Sequence, residues 1–370
     1  MKLWPLLGIV LMQIFLLLAH GFVCHSWIVL LGSHLPVSAW ALRTAMIVLA
    51  LSFIPATLLA FRMDNGVVRA FYVAAASWLG FFNFFFWAVC VAWIFSAFVG
   101  PEAAARICGG LTAAAFLVGV YGLVNARWIR QRAYLVRLPH LPESWRGRRA
   151  VLLSDVHLGP INGLGFSRRL ARKIAALEPE IVFLPGDLFD GGAVDGERLL
   201  APWRALRVPL GIYFSTGNHD EFGELSAYRR AIESAGIRVL HNESVEVDGV
   251  AVLGVAYADS TSPLHLQHAL ERMRPGADQA AILLNHVPHR LPVVAGSGIH
   301  LQLSGHTHGG QIAPFTWLTR RVFGRFTSGL QRFGTMTVCT STGVGVWGPP
   351  MRVGSASEIV MLRFEPEESE

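Results

Sequence analysis

The chain has 370 residues, 53% of them hydrophobic and only 15% charged, with a formal net charge of +6 and a mean hydropathy of +0.45. That length admits more than one domain, and that hydropathy is too greasy for one ordinary soluble domain. Residues 1–126 hold five basic side chains (Lys2, Arg43, Arg62, Arg69, Arg106) against two acidic ones (Asp64, Glu102), so the positive excess divides evenly about Ala126 and builds no dense basic stripe for a nucleic acid.

Four apolar blocks come first: Leu3–Leu31, Ala39–Phe61, Ala70–Val99 and Ile107–Val124. Each is close to or longer than the roughly 20 residues that cross the hydrocarbon layer as a helix. A cleaved signal peptide is a poor reading of the first block, which is too long and lacks a small-residue cleavage site. Four transmembrane helices are expected over residues 1–126. With the N-terminus inside, Lys2, Arg62, Arg69, Arg127, Arg130, Arg132 and Arg137 all lie on the inner side. The positive-inside bias therefore predicts a multi-pass inner- or plasma-membrane protein whose C-terminal domain is cytoplasmic. Polar side chains such as His20, His25 and Asn83 are few within the blocks, which reads as an anchor rather than a transport path. Cys24, Cys90 and Cys108 lie in the blocks and Cys339 stands alone, so no disulfide framework is expected.

Residues 127–148 are basic and carry Pro139 and Pro142, the pattern of a linker. Short β-like runs then alternate with helical ones. Ala150–Leu153 leads to Asp155, Ile181–Leu184 to Asp187, Leu210–Ser215 to Asn218, Ala281–Leu284 to His286, and Leu301–Leu303 to His306. Helices are expected at Phe166–Leu177, Leu199–Leu206 and Leu225–Ala235, a strand at Ile237–Leu240, and a hairpin about Asp248-Gly249 within Ser244–Val255. The last strands are placed at Thr335–Thr340 and Glu358–Phe364, before a frayed acidic tail at 365–370. The expected fold class is α/β: two mixed sheets packed together over 149–364 with helices outside.

The residues that end these runs carry the chemistry. Asp155 and His157 are two apart beyond a strand, a spacing that lets both reach one metal. Asp187 can bridge two metals with its two oxygens, Asn218 offers an amide oxygen, and His286, His306 and His308 supply nitrogens. This donor mixture suits intermediate cations, with Mn²⁺ first and Fe²⁺ or Zn²⁺ next, over Mg²⁺ alone. Two such metals lower the pKa of a bound water and stabilise charge on a phosphate ester.

The blocks Asp155-x-His157, Gly186-Asp187-x-x-Asp190, Gly217-Asn218-His219-Asp220, His286 and Gly305-His306-x-His308 resemble the calcineurin-like metallophosphoesterases, in family order from about Arg149 to Phe364. The resemblance implies a two-sheet sandwich in which Asp155, His157, Asp187 and His308 hold one divalent metal and Asp187, Asn218, His286 and His306 hold a second. It also implies that His219 contacts the phosphate or protonates the leaving oxygen, that Asp220 orients His219, and that Asp190 stands behind the ligands. Ser304–Ile312, with Gly343-Val344-Gly345, Pro349, Pro350 and Arg352, is similar to the YkuE-like branch that carries N-terminal membrane helices. Related members cleave the pyrophosphate of a nucleotide-activated lipid A precursor.

Phe315–Leu330 interleaves Phe315, Trp317, Leu318, Val322, Phe323 and Phe326 with Arg320, Arg321 and Arg325. It is either a core-packed loop or a cap that dips into the membrane interface and admits a lipid. His289 is a candidate cleft residue, and His241, His265, His268 and His300 read as ordinary surface or structural histidines. The leading expectation is a membrane-anchored binuclear hydrolase of phosphodiesters or pyrophosphates, with a phosphate-bearing substrate that is a lipid or a nucleotide-activated lipid. No nucleic acid or protein partner is implied. A phosphomonoesterase or nucleotide phosphodiesterase merely tethered to the membrane, and a non-enzymatic binding or sensing module, are the alternatives.

Overall fold

The computed structural model describes residues 3–222 and 225–367. Within them the chain forms two compact units, residues 1–124 with 348–353, and residues 125–347 with 354–370.

The first unit is built on four long helices: α1 (Leu3–Leu31), α2 (Ala39–Ala60), α3 (Gly66–Ser96) and α4 (Pro101–Arg127, whose last residues pass into the second unit). All four are long and apolar enough to cross a membrane. Ser38 caps α2 by accepting the Ala41 amide, and Asn65 caps α3 by accepting that of Val68. Leu18, Trp40, Val67 and Leu117 are exposed, the signature of helices that face hydrocarbon. Several polar groups inside are paired between helices. Trp78 donates to His20 at 3.0 Å, Trp93 to Ser26 at 2.8 Å and Trp27 to Thr112 at 3.1 Å, and His20 stacks on Phe82. The same unit takes in the segment 348–353, where the Arg352 backbone amide donates to the Gly122 carbonyl.

The second unit contains twelve strands: β1 (Arg130–Leu138), β2 (Arg149–Leu152), β3 (Ile181–Pro185), β4 (Ile212–Ser215), β5 (Ile237–Val239), β6 (Glu243–Val247), β7 (Val250–Gly254), β8 (Ala281–Leu284), β9 (Leu301–Ser304), β10 (Gly329–Phe333), β11 (Met336–Thr340) and β12 (Glu358–Pro366). They form two six-stranded sheets, ordered β1-β12-β2-β3-β4-β5 and β10-β11-β9-β8-β7-β6. Strand periodicity explains the layers. Val151, Val182 and Leu184 face the helices outside the first sheet, while their neighbours Ala150, Leu152, Ile181 and Phe183 face the second sheet. Ile282 and Leu284 look back into that shared core, and Ala281 and Leu283 look outward to a third cluster. Central strands buried on both faces read as continuous apolar runs, which is why the sequence revealed them.

Three expectations need correction. The segment read as a linker contains β1, an edge strand paired in parallel with β12. Its Val136 and Leu138 are buried while Arg137 between them is exposed, and Trp145 nearby is fully buried with its indole donating to the Val247 carbonyl. Residues 365 and 366, read as tail, complete β12, and Glu367 pairs with Arg332; residues 368–370 lie outside the described residues. Phe315–Leu330 is neither a loop nor uniform. It opens with a helix, Phe315–Phe323, that buries no side chain, and continues through a helical turn into β10, with Phe326 packed on Phe333.

Candidate metal centre

The parallel strands β2, β3, β4, β8 and β9 end on one side of the two sheets, and the turns that leave them carry the seven expected ligands. Five of these, Asp155, His157, Asp187, His306 and His308, have left-handed backbone with φ between 48° and 69°. Non-glycine residues seldom adopt this conformation, and its clustering marks a site where the surrounding fold holds a strained geometry. Neighbouring glycines let the turns close together. A side chain at Gly217 would strike the Asp187 carboxylate, and one at Gly305 would strike Ser154 and Asp155.

Donor atoms of Asp155, His157 and His308, of His157, Asp187 and His219, and of Asp155, Asp187 and His286 lie within 4.8 Å of one another in each trio. Asn218 Oδ1 is 3.1 Å from His306 Nδ1. Asp187 joins the trios: its Oδ2 is 3.6 Å from His157 Nε2 and 3.2 Å from His286 Nε2, while Oδ1 accepts the His219 amide.

The bonding pattern fits cations. His157 gives its Nδ1 proton to Asp190 at 3.2 Å, which leaves a lone pair on Nε2 facing His308 Nε2 at 3.1 Å. His286 gives its Nδ1 proton to the Pro185 carbonyl at 2.8 Å, which turns a second lone pair toward Asp187. That His286 Nε2 is buried without a hydrogen-bond partner. Nitrogen lone pairs aimed at each other and at a carboxylate repel unless a positive centre stands between them, and an imidazole oriented through its other nitrogen is the usual metal-ligand arrangement.

Electrostatics call for the same positive charge, which a proton on His286 Nε2 supplies until a cation replaces it. Burial works against charge at His286, but Asp187 outweighs it and raises the imidazole to about 9. Burial would raise the Asp187 carboxyl, yet His286 holds it well below the usual carboxylate range. His306 is pushed down to about 3 by burial and then by the charge of His286. The cluster thus binds positive charge between Asp187 and His286 and keeps His306 as a neutral donor. These features support a binuclear metal centre.

Two expectations about the remaining residues change. Asp220 does not orient His219. Its carboxylate accepts the backbone amides of Asp187, Phe189 and Gly217 at 2.7–3.0 Å, which ties the Asp187 turn to the Asn218 turn. Those amides hold the charged form against burial and Asp187, which push its pKa up to about 7. Asp190 does the orienting: its carboxylate meets His157, and its carbonyl lies 3.2 Å from His219 Nδ1. Burial and then His157 lower the His219 pKa, so the imidazole stays neutral more readily. The spacing Gly-Asp-x-x-Asp singled out Asp190, but only the fold shows that it serves two histidines. Sequence reading missed Tyr257, whose ring lies 6.2 Å from that of His286, together with Phe222 and Trp347 beside His219.

Residues 148–310 match the family model described as calcineurin-like phosphoesterase. With the two-sheet sandwich and its ligand turns, this match marks an α/β metallophosphoesterase sandwich that follows four long apolar helices. The chain is 34% identical over 263 residues to a transmembrane protein with metallophosphoesterase domain from Danio rerio; the match covers 66% of this chain and 60% of that relative's length. It is 25% identical over 269 residues to the uncharacterized metallophosphoesterase YkuE of Bacillus subtilis strain 168, covering 70% of this chain and 94% of that protein. Among solved structures, a dimetal phosphatase from Danio rerio overlaps 54% of this chain and 88% of its own, with 11% identity and a TM-score of 0.38.

Proposed function

We propose that this chain is a membrane-anchored hydrolase of lipid-linked phosphodiesters or pyrophosphates, of the YkuE-like type, with its α/β domain on the cytoplasmic side. Asp155, His157, Asp187 and His308 would hold one divalent cation, and Asp187, Asn218, His286 and His306 the other, with Mn²⁺ preferred by this mixed oxygen and nitrogen set. Bound there, the cations supply an activated water and neutralise phosphate charge. The chain's own groups do the rest. Asp190 fixes His157 and His219, and Asp220 locks two turns in register. His219 presents its Nε2 for proton transfer to the leaving oxygen.

One observation carries the lipid reading. A cavity of about 540 Å³ opens at His306; Val287, Leu291, Phe323, Phe326 and Phe333 line it, together with Thr261, His289 and Arg290. Phe323 belongs to the surface helix whose Phe315, Trp317, Leu318 and Val322 are 54%, 64%, 52% and 66% exposed. Arg321 stacks on Trp317 in the same helix. An apolar face with flanking arginines suits a lipid interface, and the cavity suits an acyl or isoprenoid chain beside the reacting phosphate. Orientation rests on the charges near the helix ends, with Arg62 between α2 and α3 and Arg69 near the start of α3, on the side that carries Arg127.

The test uses purified full-length protein with Mn²⁺, offered a long-chain lipid phosphodiester and its short-chain soluble counterpart. Trp317→Ser, Leu318→Ser and Val322→Ser together should lower turnover of the long-chain substrate at least tenfold more than that of the short one, since each CH₂ kept from water is worth about 0.8 kcal/mol. An equal loss for both substrates would leave the helices as a tether for a soluble-substrate enzyme.

A further inference from the structure

Two of the exposed aromatic side chains of the α/β unit stand against the candidate metal centre. Phe222 is 63% exposed and Trp347 is 52% exposed. Their rings lie 5.3 Å and 5.5 Å from the His219 ring, tilted to it by 63° and 62°. Neither belongs to a core cluster among the described residues. Exposed apolar side chains scattered singly need no explanation, but two converging on one histidine do.

The backbones that carry them are tied down by hydrogen bonds of neighbouring side chains. Phe222 closes the helical turn Asn218–Phe222, which Asp220 ties to the Asp187 loop and in which Glu221 accepts from Thr216 at 2.6 Å and from the Ala258 amide at 3.0 Å. Trp347 is bracketed by Gln311, which donates to its carbonyl at 2.8 Å and accepts its amide at 3.1 Å. Gln311 itself is buried, follows the His308-Gly-Gly turn, and has left-handed backbone with φ 50°. The ligand turns therefore position both rings, at a cost in hydrophobic exposure that packing does not recover.

We propose that Phe222 and Trp347 form a subsite for a planar ring on the leaving-group side of the scissile phosphate, and so set the enzyme's preference among leaving groups. This rests on the reading of His219 as the proton donor to the leaving oxygen: whatever departs next to His219 departs beside two aromatic rings. A flat ring gains face and edge contacts there that a saturated ring of equal size does not. The cavity at His306 is lined by a different set of residues, so the two substituents of the phosphate meet different surroundings.

The experiment compares two phosphodiesters, methyl phenethyl phosphate and methyl cyclohexylethyl phosphate, whose leaving alcohols match in acidity and size and differ in planarity. With full-length protein and Mn²⁺, kcat/KM should favour the phenethyl ester by about 10-fold, within the range that aromatic stacking supplies. Phe222→Leu and Trp347→Leu, which keep apolar bulk, should each bring that ratio toward unity through KM. The ratio is independent of how much enzyme folds. Equal rates for the two esters in the unmodified protein, or a preference that survives both substitutions, would overturn the subsite. Failure to hydrolyse either ester with metal present would instead count against the hydrolase reading. A methyl ester of thymidine monophosphate identifies the source of the ring: faster turnover than the phenethyl ester points to a nucleobase, slower turnover to an aryl group.

Discussion

Replacing Asp190 with alanine isolates the contribution of a residue outside the candidate ligand groups. Its carboxylate accepts the Nδ1 proton of His157 at 3.2 Å in a pair that is almost fully buried, with side-chain exposures of 0% and 9%. Removing it leaves that N–H without an acceptor, at a cost of about 1–3 kcal/mol. It also frees the imidazole to rotate and makes its Nε2 less basic, and loss of such an outer partner typically costs about 10–100-fold in metal affinity or activity. The contact to His219 comes from the Asp190 backbone carbonyl and survives in the variant. Asp190→Ala should therefore weaken Mn²⁺ binding by about 10–100-fold, while saturating metal restores most of kcat. Asp190→Asn, whose amide oxygen can still accept, should fall between the two. Calorimetric titration of metal into the purified protein, followed by kcat as a function of metal concentration, checks both parts. Unchanged metal affinity in Asp190→Ala would refute the role assigned to it, and a kcat that metal cannot restore would place Asp190 in the chemistry itself.

Asp187→Ala should lose both metals and nearly all turnover, because one carboxylate lies between His157 and His286; elemental analysis that found two metals retained at near-normal rate would refute the shared-ligand reading. His219→Asn should keep its metals yet slow turnover by roughly 10²–10⁴-fold, with a smaller deficit for acidic leaving groups, and a deficit independent of leaving group would point to phosphate positioning instead. Asp220→Ala should behave as a folding variant: three amides lose their acceptor, at about 1–3 kcal/mol for each one left buried and unpaired, so the melting temperature should drop well below that of His219→Asn. A reporter fused after the last residue should be cytoplasmic, and protease added to intact cells should spare the α/β domain; its digestion there would reverse the orientation.

The membrane helices and the ligand turns were legible in the sequence for a simple reason. A spanning helix must be apolar along its whole length, and a central strand buried on both faces is a short apolar run, so composition alone marks where each begins and where its terminal ligand falls. Asp155, Asp187, Asn218, His286 and His306 each follow such a run, and the fold brings them together. Edge strand β1 was hidden because only Val136 and Leu138 need to be buried, while its arginines can face water. The surface helix at Phe315 was ambiguous because an apolar stripe has the same periodicity whether it meets a core or a membrane. Spacing along the chain also could not assign partners to two neighbouring carboxylates. Asp220 is next to His219 in sequence, but the chain turns its side chain onto three backbone amides, while Asp190 reaches the histidines from another loop. Sequence determined which groups are present at the ends of the strands. Tertiary structure decided which of them meet, since hydrogen bonds and lone pairs act over about 3 Å while their owners lie tens to hundreds of residues apart.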